Sequence, residues 1–399
     1  MKALTLLIAL LALCSTLLFS EEPLDVYISE NKKEQFKYDY EKNEADSSIL
    51  RDSWIAPLNL NYSYSKSNPY KDQQTTENAS IKMDQPIFQS GGIYYGIKFA
   101  EASRIYVDYS VDVAKRKLVK DAISLLMQIK QIDLKISKQK LQIENSEINL
   151  AQKREDYLNG QLDSGFLDSA IIDRNIVIQT FFDLQTNKER LISKFNAISD
   201  MKHDEAFVPT LKLLTQEQFL QKNIVLGMSE REIEKNGYAQ DVTVAKYLPK
   251  VNLTAGYSWD KSDSPFKFGA NEKDYYNVGF KVALPIDINS YRDVESSKIE
   301  YLKSQLVIED RKRELIAIFE QVMQNIENIQ KKKQLSVENR DIYERLLGDT
   351  NDLYAAGYKT KYDVELLENS VEIQKSDVEI YEIDKQLELL TLYEMYKDD

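Results

Sequence analysis

The stretch WIAPLNLNYSYSKS, Trp54 to Ser67, alternates. Its even positions are Trp54, Ala56, Leu58, Leu60, Tyr62 and Tyr64, and its odd positions after Pro57 are Asn59, Asn61, Ser63 and Ser65. Successive side chains of a strand point to opposite faces, so this strand is apolar on one face and polar on the other. A second copy stands further along. Pro57-Leu58-Asn59-Leu60 with Tyr64-Ser65 recurs as Pro249-Lys250-Val251-Asn252-Leu253 with Tyr257-Ser258. In the copy Val251, Leu253, Ala255, Tyr257 and Trp259 form the apolar set; Asn252, Thr254, Gly256, Ser258 and Asp260 form the other.

Each copy leads through a polar loop into another alternating strand. Ala79, Ile81 and Met83 alternate with Ser80, Lys82 and Asp84 before Gln85-Pro86-Ile87. Val278, Phe280, Val282 and Leu284 do the same before Pro285-Ile286. Proline lacks the N–H that a ladder needs, so each Pro is expected to stop its strand. Turns follow at Gln89-Ser90-Gly91-Gly92 and Asp287-Ile288-Asn289-Ser290, and then helix.

A further landmark repeats. Leu162-Asp163-Ser164-Gly165 matches Tyr354-Ala355-Ala356-Gly357, and three residues past each Gly stands an N-cap residue, Asp168 or Thr360. Gly165 and Gly357 are therefore expected to make tight turns with positive φ. The landmarks are spaced by roughly 190–200 residues, which is internal duplication and not a short-period solenoid.

The segments between are long helices. From about Gly92 to Asn159 there is no Pro and one interior Gly, Gly96, giving a helix on the order of 100 Å long. Leu118, Ala122, Leu125, Ile129, Ile132 and Ile136 form a seam with alternating steps of four and three. Leu315, Phe319, Val322, Ile326 and Ile329 form its counterpart. The expected layout is a signal at about residues 1–20 and a first repeat over 21–208, followed by a connector and second repeat over 209–399. The first repeat has strands at about 54–66 and 77–87 and a tip near 160–168; the second has strands at about 248–260 and 275–285 and a tip near 351–361. Phe207 to about Leu226 is the connector, expected against the outside of the helical body.

Four strands cannot close a barrel, and an open edge in lipid leaves backbone groups unpaired. Yet Trp54, Tyr62, Tyr64, Tyr257 and Trp259 lie on the apolar faces near strand ends, and Tyr275 and Tyr276 open the fourth strand. Aromatic residues at strand ends form the girdles of outer-membrane barrels, and a polar second face suits a water-filled lumen. The five aromatics are therefore expected to face lipid. Closure has to come from several copies of the chain; the pattern does not set their number.

The bulk composition agrees. The N-terminus MKALTLLIALLALCSTLLFSEEP reads as a secretory signal. Cys14, the single cysteine, follows Leu11-Ala12-Leu13, which partly resembles a lipoprotein signal, although Leu13 is large for that position. A net charge of −13 excludes a phosphate-backbone binder, so no nucleic-acid partner is expected. There is one histidine, His203, and no phosphate-binding loop, dinucleotide motif or metal-spaced cluster; no enzyme, cofactor or metal site is expected.

In order and spacing these elements resemble the TolC-type outer-membrane efflux proteins. The sharpest local matches are Tyr247-Leu248-Pro249, Leu284-Pro285-Ile286, and Tyr354-Ala355-Ala356-Gly357 with Asp363-Val364. The resemblance implies a mainly α fold with β: a duplicated β-β-α-hairpin whose four strands join a twelve-stranded trimeric barrel. It implies a homotrimer in the outer membrane of a Gram-negative bacterium, with a helical tunnel in the periplasm. A periplasmic adaptor and an inner-membrane pump would be its partners. The resemblance also implies a gate. Tyr354 matches the gate tyrosine, Asp363 the constriction aspartate, and Lys359 stands where the family has arginine. A second aspartate of the family falls on Leu366, and its first-tip acidic partner on Ile171, with Asp168 and Asp173 within a turn. Gly165 and Gly357 would mark the tips that dock the adaptor. Efflux and type I secretion both fit such a duct, and drug, metal-ion and protein cargoes stay open. A periplasmic coiled-coil scaffold without a pore is the rival reading.

Overall fold

A computed structural model describes residues 24–68, 73–263 and 272–397. The expected signal and Cys14 lie outside the described residues. A short 3₁₀ turn, Leu24–Tyr27, precedes helix α1 (Glu30–Arg51). Strands β1 (Asn59–Ser67) and β2 (Gln74–Phe88) follow, then helices α2 (Gly92–Leu158) and α3 (Ser164–Asn196). The connector carries α4 (Gln216–Gln221) and α5 (Ile224–Lys246). The pattern then repeats as β3 (Lys250–Asp263), β4 (Glu272–Ala283), α6 (Ser290–Ala355) and α7 (Lys361–Tyr393). The duplication is metrical: α2 and α6 have 67 and 66 residues, and α3 and α7 have 33 each.

The chain divides into two compact units. The first comprises residues 24–36, 114–221 and 316–397 and is helical. Its core is drawn from α2 (Val119, Ala122, Ile123, Leu126, Met127), α3 (Leu191, Phe195), α6 (Phe319, Val322, Ile326) and α7 (Leu389, Leu392). The expected α2 seam is one-sided and too narrow. Leu118 and Leu125 are half-buried, whereas Val119 and Leu126, one position later, are buried. The reason is that α2 has two neighbours in this unit. Gln139 Nε2 donates to the Val177 carbonyl of α3 at 2.9 Å, and Lys138 pairs with Asp377 of α7 at 2.6 Å. A helix packed on two sides buries a wider stripe than a two-helix seam.

The connector is docked within the same unit. The fully buried Phe219 ring stacks on Phe319 at 5.8 Å. Leu211 N donates to Gln386 Oε1 at 2.7 Å, which satisfies a buried backbone donor.

The second unit comprises residues 37–113 and 222–315, less the loop residues outside the description. It holds one antiparallel sheet in the order β1-β2-β3-β4. Helix α1 is attached to α2 by polar contacts. Tyr40 OH donates to Asp112, Asn43 Nδ2 donates to Arg104 O at 2.9 Å and Asp108 Oδ1 at 2.7 Å, and Ser47 Oγ donates to Ala100 O at 3.0 Å. No apolar stripe in residues 30–51 announces this helix, because its seat is hydrogen-bonded. Asn223 caps α5 by accepting from Val225 N and Leu226 N. Gly227 lets α5 approach α2 closely: a Cβ there would lie 2.8 Å from the Tyr109 ring.

Two strand boundaries differ from expectation. β1 begins at Asn59, and Trp54 lies in the turn that follows α1. Pro57 offers no N–H, and residues 54–56 are held by a side chain instead. Gln85 Nε2 donates to Trp54 O at 3.1 Å, and its Oε1 accepts from Ala56 N at 3.0 Å. β2 in turn runs through Pro86 to Phe88, with a register shift between them against β3. A bulge absorbs the missing donor, so the proline does not end the strand.

Candidate membrane surface and hairpin tips

The register lines up the two faces of the sheet across all four strands. One row reads Leu60, Ile81, Tyr257, Tyr276, and the next reads Tyr62, Ala79, Trp259, Asp274. Towards the helices come Met83, Ala255, Val278, then Leu253, Phe280, then Val251, Val282. The opposite face carries Asn61, Ser80, Ser258, Tyr275, and then Asn59, Lys82, Gly256, Asn277. On the edge strands the apolar face is open: Leu60 is 78% exposed, Val278 70% and Tyr276 80%, while Ser80 and Ser258 on the polar face of the central strands are 8% and 3% exposed. A contiguous exposed apolar face marks a surface that meets lipid or protein. β1 and β4 each have one unpaired edge in the chain. Among the described residues no helix is long and apolar enough to cross a membrane.

The polar ends of the aromatics lie beside carboxylates at the loop end of the apolar face. Tyr257 OH donates to Asp274 Oδ2 at 3.2 Å, Trp259 Nε1 to Glu272 Oε1 at 2.7 Å, and Tyr62 OH to Glu77 Oε2 at 3.3 Å. Each ring thus has an apolar body and a satisfied polar tip, as an interfacial position requires.

The hairpin tips share one construction. At the second tip Gly357 has φ +79°, Gly357 N donates to Tyr354 O at 3.0 Å and Tyr358 N to Leu353 O at 2.8 Å. At the first, Gly160 has φ +71°, Gly160 N donates to Tyr157 O at 3.0 Å and Gln161 N to Asp156 O at 2.8 Å. Both are Schellman caps, in which a left-handed residue lets two N–H groups satisfy the last carbonyls of the helix. Three residues on, the return helix is capped, by Asp163 or by Thr360. Asp163 accepts from Gly165 N at 3.0 Å. Thr360 forms a capping box with Asp363, whose Oδ2 accepts from Thr360 N at 2.9 Å.

Residues 216–395 match the family model described as outer membrane efflux protein. The match covers the connector and the second repeat, just under half of the chain. Solved structures of similar fold include the CmeC outer membrane channel of Campylobacter jejuni, with 14% identity over 94% of this chain and 86% of that one, and a TM-score of 0.71. The outer membrane protein VceC of Vibrio cholerae has 13% identity over 91% and 93%, with a TM-score of 0.70. The MtrE outer membrane channel of Neisseria gonorrhoeae, in its open state, has 12% identity over 93% and 87%, with a TM-score of 0.69. At such identities the likeness is one of fold. No curated protein matches the chain in sequence.

The expected site residues are placed as follows. Tyr62, Tyr64, Tyr257 and Trp259 lie on the apolar face of the sheet, and Trp54 does not lie on a strand. Tyr354, Lys359 and Asp363 share the second tip, where Lys359 Nζ is 3.7 Å from Asp363 Oδ1. The hydrogen bond from the Thr360 backbone, then that from its hydroxyl, then the Lys359 charge hold the Asp363 carboxyl below its ordinary range, against the effect of burial. Asp168 and Asp173 are exposed on α3, and no described ion pair joins either to Lys359.

Gly165 is a correction. It lies in the first turn of α3 with no positive φ, and Asp168 is inside that helix and caps nothing. The turn glycine is Gly160 and the cap is Asp163. The rule of a cap three residues past the glycine holds at both tips, but its register at the first is five residues earlier. The signal was present: Tyr157-Leu158-Asn159-Gly160 repeats the Tyr-x-x-Gly of Tyr354–Gly357, and Asn-Gly is itself a turn pair.

Proposed function

We propose that this chain is an outer membrane efflux protein: a passive exit duct, closed by three copies of the chain in the outer membrane of a Gram-negative bacterium. Each copy contributes four strands to a twelve-stranded barrel, and the helical hairpins continue as a periplasmic tunnel. A periplasmic adaptor and an inner-membrane pump supply the energy, in efflux or in type I secretion. The observation that carries the reading is the two-faced sheet, with its exposed apolar face, its polar reverse and its two unpaired edges. An edge left in lipid forfeits backbone hydrogen bonds, each worth several kcal/mol there, so copies have to pair edge to edge. Tyr62, Tyr64, Tyr257 and Trp259 then face lipid near the headgroups.

Tyr354, Lys359 and Asp363 of the second tip form the periplasmic gate, with Asp168 and Asp173 of a neighbouring hairpin as partners for Lys359. The tip turns at Gly160 and Gly357 present the docking surface for the adaptor. Mass measurement of the detergent-solubilised chain tests the assembly. A trimer is expected. A folded monomer with a stable sheet, or full extraction without detergent, would favour the periplasmic scaffold.

A further inference from the structure

We infer that the helix-proximal half of the polar sheet face is an anion-binding collar, built by Lys82, Lys250 and Lys281, that favours passage of solutes bearing carboxylate or phosphate. This deepens the duct reading and rests on it, because the polar face becomes a lumen only when the barrel closes.

The three lysines lie on one face, Lys281 and Lys250 in adjacent rows and Lys82 beyond the intervening row of Asp84, Thr254 and Gly279. Lys82 shares a row with Gly256 and Asn277, Lys281 pairs with Asn252, and Lys250 pairs with Ala283 in the row beyond. The one carboxylate among them is Asp84, which is engaged by Asn252 Nδ2 at 2.7 Å. None of the three lysines makes an ion pair among the described residues. Three other lysines of this unit are matched by carboxylates. Lys246 pairs with Asp293 at 2.9 Å, Lys98 with Glu101 at 2.9 Å, and Lys261, on the apolar face, lies 3.9 Å from Glu77. At the loop end of the polar face, Lys273 stands opposite Asp260. The helix-proximal half of the polar face thus carries three lysines beside one carboxylate, Asp84, in a chain whose net charge is −13.

Small residues keep this half open. A Cβ at Gly256 would meet Asn277 Oδ1 at 2.7 Å and Lys82 Cγ at 3.5 Å, so the glycine leaves room for the Asn277 amide and the stem of Lys82. Gly279 and Ala283 add no bulk beside Lys281 and Lys250. In a closed trimer the three lysines recur around one aqueous passage. A lumen with low-dielectric walls focuses the field of such a ring, and the Debye length of ~10 Å at 0.1 M salt does not screen it across a narrow bore.

Planar-bilayer recording of the purified full chain tests the collar. The readouts are the reversal potential in a KCl gradient and block by inorganic tripolyphosphate added to each side in turn. The parent is expected to be blocked by tripolyphosphate. The triple variant Lys82→Gln, Lys250→Gln, Lys281→Gln should need ~10-fold more blocker, with its reversal potential shifted towards the cation side. Each single variant should show part of the effect, which covers poor assembly of the triple one, and Lys273→Gln should behave as the parent. A trimer that conducts but is blocked equally with and without the lysines overturns the collar and leaves the duct intact. A parent that forms no trimer and no conductance overturns the duct, and the collar with it.

Discussion

Val278→Arg tests the face assignment and the depth of insertion together. Val278 lies with Met83 and Ala255 in the middle row of the apolar band. Along β3 the band runs from Val251 to Trp259, eight residue steps. At ~3.4 Å per residue that is ~27 Å along the strand. A tilt of roughly 40° reduces it to ~21 Å along the membrane normal, close to the ~25 Å apolar belt of outer-membrane barrels. The middle row therefore sits near the bilayer centre, where an arginine costs ~2–4 kcal/mol. Three copies make that ~6–12 kcal/mol per trimer, comparable with the ~5–15 kcal/mol total stability of a domain. Tyr62→Arg lies in the row at the loop end and should cost ~0–1 kcal/mol per copy. Asn277→Arg, next to Val278 but on the polar face, should be similarly mild. The assay is the denaturant midpoint of the trimer in lipid or detergent, read by gel mobility and tryptophan emission. Equal losses for Val278→Arg and Asn277→Arg would refute the face assignment, and equal losses for Val278→Arg and Tyr62→Arg would refute the depth.

Gly160→Ala and Gly357→Ala should each destabilise a tip by ~1–2 kcal/mol, since an L side chain resists their positive φ. Gly165→Ala should instead stabilise α3 by ~0.5–1 kcal/mol; amide exchange across residues 155–168 separates the two outcomes. The Asp363 carboxyl titrates below its ordinary value of 3.8, so the capping box contributes fully above that value and its contribution is lost as pH falls through the lower, folded value. Protection factors at the second tip, with intrinsic exchange rates divided out, should therefore fall below about pH 4, and Asp363→Ala should abolish that fall. Tyr354→Phe with Lys359→Ala should raise bilayer conductance above that of the parent, and Asp363→Ala should weaken block by multivalent cations. If conductance and block both stay at the parent's level, the tip residues form a docking surface and no gate.

The sequence by itself determined the two-faced strands, because a period of two is a local pattern that no later packing erases. It also determined the duplication and the long helices, because the absence of proline and the repeated landmarks are properties of the chain alone. Tyr354, Lys359 and Asp363, carried over from a family resemblance, all lie at the second tip, where Lys359 stands beside Asp363. Other features depend on partners far away in the chain. Which glycine turns the first tip is set by where α2 releases its last carbonyls, and Tyr157-Leu158-Asn159-Gly160 competes with Leu162-Asp163-Ser164-Gly165 until those carbonyls are placed. The buried stripe of α2 widens because α3 and α7 both pack on it, and sequence periodicity reports one seam at a time. β1 starts at Asn59 because the Gln85 side chain, on another strand, takes the backbone groups of Trp54 and Ala56. The seat of α1 rests on Tyr40, Asn43 and Ser47, polar residues that carry no apolar signal to read. Whether a lysine of the sheet is matched or free was likewise decided by register, since only pairing across strands brings a carboxylate opposite it.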